Sequence, residues 1–244
     1  MKRIAVLLSL CIAVFLAFSQ AQDKAILSSY RIFPKTGKDT DLKKALAAHA
    51  AKYHKGDWKW RVFSVVSGPD EGSYQVNEGP ASWTALEGRK DISDEHTRDY
   101  ETTVLPLVEK TLPTLYTRYQ KELSSDSVAG TFKKVLLRHF YMKPGKGVRF
   151  MNTLPTWKQV WEKMGLKVTV WSSFYSGQPQ YVVASRLRQG WTELENIKPS
   201  MFRETYDQIA GAGAYDRYLE DLSQSIDRID EDMMELLPEV SSAP

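Results

Sequence analysis

Residues 81–88 read ASWTALEG, and residues 189–196 read QGWTELEN. The shared core, Trp-Thr-x-Leu-Glu, begins at Trp83 and again at Trp191, 191 − 83 = 108 positions later. Two weaker matches flank it in the same order. Lys35-Thr-Gly-Lys38 pairs with Lys143-Pro-Gly-Lys146 at an offset of 108, and Ser64-Val-Val-Ser-Gly68 pairs with Ser173-Phe-Tyr-Ser-Gly177 at 109. Three matches in order at a nearly constant offset point to a duplicated unit of domain size, far longer than a solenoid repeat.

Both units give the same reading. AILSSYRIF (25–33) and KVLLRHFYM (134–142) are rich in β-formers and suit strands. Leu42, Ala45, Leu46, His49, Ala50 and Tyr53 recur with the period of one helix face. Phe150, Leu154, Trp157, Val160, Trp161 and Met164 do the same in the second unit, with Pro155 as an expected kink. Hairpins are expected at 58–78 and 167–187, with Gly and Pro at their reversals. The Trp-Thr segments follow as short helices. Longer helices are expected over 94–123 and 199–236, the first unit running through 22–123, a polar linker through 124–130 and the second unit through 131–244.

The order β-α-β-β-α is that of a ferredoxin-like unit. An antiparallel sheet covered by helices on one face needs a partner for the other, so the expected fold is α+β: two ferredoxin-like repeats whose sheets pack together as a fused α/β barrel. This duplicated pattern resembles the dimeric α/β-barrel superfamily. That superfamily includes haem-degrading monooxygenases, cofactor-free quinone-forming monooxygenases, and chlorite dismutase-like and dye-peroxidase-like haem proteins. Such a range of activities leaves function to be argued from the site.

The first residues have a basic start at Lys2 and Arg3, an uncharged apolar run over 4–18, and small residues at Ser19 and Ala21. That is the pattern of a signal peptide over 1–21, so the chain is expected to be exported, to a periplasm or outside the cell. Cleavage would remove Cys11, the only cysteine, and with it disulfide, thiolate and Cys–metal chemistry. It would also leave 31 basic against 30 acidic residues in a mature chain of 244 − 21 = 223 residues. Such balance, with no long basic run, argues against a nucleic-acid partner. A membrane partner is not expected after cleavage, and the barrel suits a monomer or a homodimer.

Histidine, the residue haem chemistry would need, occurs four times, as His49, His54, His96 and His139. His49 lies on the apolar helical stripe and reads as a core residue. His54 reads as a C-terminal cap beside the helix dipole, and His96, among charged neighbours, as a surface residue. No HxH or HxxxH spacing occurs, so no metal site is expected. His139 shares a strand face with Val135, Leu137 and Tyr141, and the repeat offset pairs it with Arg31. Arg31, His139 and Tyr141, with Trp60 and Trp171 from the aromatic middle strands, are the candidate ligand-binding residues. No GxSxG, P-loop or GxGxxG motif is present. The residues alone favour non-catalytic binding of a small ligand or partner, without a cofactor. The resemblance supplies the alternative, an enzyme of the dimeric-barrel type, either a cofactor-free monooxygenase or a haem-dependent oxidoreductase.

Overall fold

A computed structural model describes residues 24–90, 92–129 and 132–243. The expected signal peptide, Cys11 included, lies outside the described residues. Among the described residues nine strands form one sheet: β1 (Ile26–Pro34), β2 (Trp60–Ser67), β3 (Tyr74–Ala81), β4 (Val108–Thr111), β5 (Leu115–Tyr119), β6 (Lys134–Met142), β7 (Val168–Ser173), β8 (Gln180–Leu187) and β9 (Ile226–Leu236). The helices are α1 (Asp39–Tyr53), α2 (Trp83–Arg89), α3 (Asp94–Asp99), α4 (Gly147–Met151), α5 (Leu154–Lys163), α6 (Pro199–Ala210) and α7 (Ala214–Ser225).

Strand order is β3-β2-β9-β6-β8-β7-β5-β1-β4, and β1 also pairs with β3. Eight antiparallel strands therefore close into a barrel, with β4 as an extra strand and the helices outside. This corrects the expected pair of ferredoxin-like repeats. No two sheets stack face to face, because β2 pairs with β9 and β5 with β7 across the halves. Hydrogen bonds, rather than side-chain packing alone, join the halves.

Two expected helices are also corrected. Over 94–123, α3 passes through a π-helical turn (Tyr100–Val104) and a 3-10 turn, then gives way to β4 and β5. Pro106 and Pro113 cannot donate to a helical ladder. The Leu112–Thr114 break sets β5 against Ile26–Ser29 and β4 against Ile32–Pro34 of β1. Over 199–236, Gly211 (φ 97°) and Gly213 (φ 72°) separate α6 from α7, and the last eleven residues form β9. The helical spacing from Leu222 to Leu236 yields there to pairing with β6 on one side and β2 on the other. Pro155 starts the new helix α5 instead of kinking one.

The core has three parts. Ile32, Leu42, Leu46, Trp60, Val62 and Val76 pack between the outer sheet face and α1. Phe140, Phe150, Trp157, Val170 and Tyr181 do so under α4–α7. Phe63, Val65, Val135, Leu137, Trp171 and Met234 fill the barrel.

Candidate functional site

The barrel interior leaves little room. Its cavity is about 80 Å³, lined by Leu27, Phe63, Leu137, His139, Trp171 and Met234 among others. A second hollow of about 240 Å³ at one end of the barrel brings Arg31, His139 and Tyr141 together. Arg31 is already engaged at each of its three side-chain nitrogens. Its guanidinium donates to Gln75 Oε1 (2.8 Å), Asp70 Oδ2 (2.6 Å) and Asp232 Oδ2 (2.5 Å), so two carboxylates balance its charge. His139 Nδ1 meets Gln180 Oε1 at 2.8 Å. Trp171 lies inside the barrel. Trp60 lies on the outer sheet face beneath α1, away from the other four candidates.

A larger cleft, about 910 Å³, opens between the outer sheet face of the first half and its helices. Tyr30, Trp60, Trp83, Tyr100 and Tyr116 give it aromatic walls, and His54 and His96 reach its surface. Behind them stands His49. One ring nitrogen from each of His49, His54 and His96 lies within 4.8 Å of the others.

Three elements build this cluster. The buried stripe of α1 (Leu42, Leu46, His49, Ala50) turns His49 toward the sheet. His54 follows α1, and its backbone N–H bonds to Ala50 O. Its ring folds inward, 1% exposed, and stacks on Trp60 at 3.7 Å between ring centroids. His96 comes from α3, whose start is capped by the Ser93 side chain accepting from His96 N. His54 does stand at the C-terminal cap of α1, as its position suggested, but its ring folds into the core; the reading of His96 as a plain surface residue is corrected, since it is half-buried. Local spacing could not signal the cluster, because the third imidazole arrives from 96 − 54 = 42 residues away.

The surrounding partners fix the rings. His49 Nδ1 lies 2.7 Å from Asp99 Oδ2. His54 Nδ1 lies 3.0 Å from both Trp58 O and Glu78 Oε2. That same Glu78 oxygen accepts from Trp60 Nε1 (3.0 Å) and Arg89 Nη2 (2.9 Å). Burial pushes the Glu78 carboxyl up, but the donors of His54, Arg89 and Trp60 outweigh it and hold the group below its ordinary value. Burial lowers the pKa of both His49 and His54, against the opposing pull of Asp99 and Glu78, and so favours neutral rings. Burial, with Tyr100 and Glu78 nearby, raises the Tyr30 phenol well above its ordinary value, and burial raises Tyr100 too. Both phenols therefore stay protonated as donors. Glu78, Asp99, Tyr30, Tyr100 and Arg89 are site residues that the sequence reading missed. Period-2 alternation from Tyr74 through Val76 to Glu78 could have placed Glu78 on the face that packs against α1, and it went unused.

No family model and no curated protein matches this sequence. Solved structures do match by shape. An anthrone oxidase-like protein shares 13% identity at a TM-score of 0.58, over 88% of this chain and 92% of that one. A monooxygenase candidate from Fusobacterium nucleatum shares 12% at 0.58, over 87% and 92%. A mutant chlorite dismutase from Candidatus Nitrospira defluvii, in complex with cyanide, shares 7% at 0.56, over 88% and 92%. These neighbours are members of the dimeric α/β-barrel superfamily. The chain shares their fold. At such identities the likeness carries no residue roles.

Haem is implied by the resemblance to chlorite dismutase-like proteins, and the residues of this chain do not fit it as arranged. An iron bound at His54 Nε2 or His96 Nε2 would hold a porphyrin about 2 Å away, across the bond axis. The other Nε2, 3.3 Å distant, stands in that space. The cavity of about 480 Å³ in the second half has no histidine in its lining. His139 faces only the filled barrel and the small hollow at its end.

Proposed function

We propose that the protein is a monooxygenase-type oxidoreductase that takes a flat, largely aromatic small molecule into the first-half cleft. One observation carries the reading: an aromatic-walled cleft of about 910 Å³ has imidazoles at its floor. Pockets with apolar walls and a few convergent, pKa-shifted polar groups are where small-molecule chemistry concentrates. The monooxygenase-like neighbours lean the same way, at fold level.

The residues divide the work. Trp83 and Tyr116, whose rings lie 5.7 Å apart, present faces for stacking at the rim. Tyr30 and Tyr100 hydrogen-bond to each other, which leaves one phenol proton to donate to a substrate carbonyl or phenolate oxygen as charge develops there. The imidazoles stand at the floor of the cleft, beside the point where a substrate C–H would be activated. For a methylene between aromatic rings the balance is CH₂ + O₂ → C=O + H₂O, with the substrate giving four electrons and dioxygen taking them. The expected signal sequence would place this activity outside the cytoplasm, and a tandem duplication would account for the like order of elements in the halves.

The test is oxygen uptake with anthrone and related tricyclic phenols, followed by product analysis. Uptake that falls at least tenfold in Trp83→Ala with Tyr116→Ala is expected. Tight binding without uptake would leave a non-catalytic ligand carrier.

A further inference from the structure

We infer that His49, His54 and His96 bind a divalent first-row transition-metal cation at the floor of the first-half cleft. This goes beyond the oxidoreductase reading and stands if that reading falls.

The tautomers make the case. Trp58 O can only accept a hydrogen bond, so the proton of His54 sits on Nδ1 and its Nε2 carries a lone pair. The Asp99 carboxylate fixes His49 in the same way. His49 Nε2 is buried and has no hydrogen-bond partner, in a side chain with no exposed surface. An orphaned acceptor in the core is a standing cost unless something occupies it. His54 Nε2 and His96 Nε2 lie 3.3 Å apart. Two nitrogens on one tetrahedral ion, each about 2.0–2.1 Å from it, stand about 3.4 Å apart. A ring nitrogen of His49 lies within 4.8 Å of the other two.

The outer partners match what metal-bound imidazoles use. Such rings donate their other N–H to a carboxylate or carbonyl, which fixes orientation and raises basicity. Asp99 stands in that position for His49, and Trp58 O and Glu78 stand there for His54. Three imidazoles and no thiolate suit zinc, copper, iron or nickel over magnesium or calcium. Three protein ligands leave a further coordination position, on the side where His54 and His96 meet the cleft. Among the described residues this is the one group of three or more candidate ligand side chains so placed.

The full chain, stripped with chelator, should be titrated with Co²⁺ under visible spectroscopy and with Zn²⁺ by calorimetry. One equivalent is expected, with the intense absorption of four-coordinate cobalt, displaced by zinc. His96→Gln, at the half-buried ligand, should keep the fold and weaken binding at least about 100-fold. Asp99→Asn should weaken it about 10–100-fold. His139→Gln, outside the cluster, should bind as the unaltered protein does. Circular dichroism on each variant separates lost ligation from lost folding. No saturable uptake by the stripped protein, or equal affinity in folded His96→Gln, overturns the inference. Tight cobalt binding without oxygen uptake upholds the inference and sinks the oxidoreductase reading alone.

Discussion

His139 points into the barrel, where its ring meets Gln180 from β8 and faces Arg31 from β1 and Asp230 and Asp232 from β9. Tyr141, two residues along its own strand, stacks 6.1 Å away. Burial lowers its pKa; Gln180 and the two aspartates oppose this, and Arg31 adds to it. The unfolded chain thus takes up a proton near pH 6.5 that the folded chain refuses until lower pH. The unfolded state binds more protons in that window, so stability rises with pH and is lost as pH falls below about 6.5. Urea denaturation from about pH 8 to 5 should show this decline. His139→Gln should flatten part of it, with His49 and His54 supplying a remainder of the same sign. An unchanged slope in the variant would place the ring in contact with water. Strand alternation grouped His139 with Val135, Leu137 and Tyr141, and the repeat offset paired it with Arg31, but which face lines the barrel was not legible. The carboxylates that engage Arg31 were not legible, because Asp232 lies 201 residues away in sequence. The histidine cluster was hidden for the same reason: each ring looked ordinary among its chain neighbours.

At the scale of elements, α1 and the two hairpins could be read because their periodicity is local and uninterrupted. β9 could not. Ile226, Ile229, Met233 and Leu236 keep a helical spacing, while the inward positions Asp232 and Met234 are two apart. Its conformation is decided by β6 and β2 on its flanks, which no local pattern records. β9 is therefore a central strand, and its ladder bonds matter more than its side chains. Glu235 tests this: it lies between Ser64 of β2 and Lys134 of β6, and its side chain is 43% exposed. Two residues on, Leu237 N donates to Val62 O, so the Glu235 N–H faces β2 in the same way. Glu235→Pro removes that ladder donor in mid-sheet and should cost about 3 kcal/mol or more. Glu235→Thr keeps the donor and a β-former and should cost under about 1 kcal/mol. The two urea midpoints, compared at equal slope, decide it. A helical segment would also suffer from proline, so amide exchange of β2 in the proline variant supplies the sheet-specific readout: its protection should fall.

For the whole molecule, closure makes the halves depend on each other. The outer core of the first half takes in Val240 and Leu237 from beyond β9, and the barrel core draws Phe63 and Val65 from the first half and Val135, Leu137, Trp171 and Met234 from the second. Even the stretch expected as a linker is tied down: Ser124 Oγ accepts from Val170 N, and Ser125 N donates to Val168 O. Separating the halves would bare the β2 and β5 edges together with one wall of that core. Unpaired edges beside exposed apolar surface drive aggregation, not independent folding. Residues 24–243 should therefore unfold in one transition, with calorimetric and van't Hoff enthalpies agreeing. Residues 24–123 alone should show no cooperative melt and should associate. Two resolved transitions in the intact chain, or a sharp melt of the isolated first half, would mean that each outer core is self-sufficient. The β2–β9 and β5–β7 ladders would then join two finished units, instead of completing a single one.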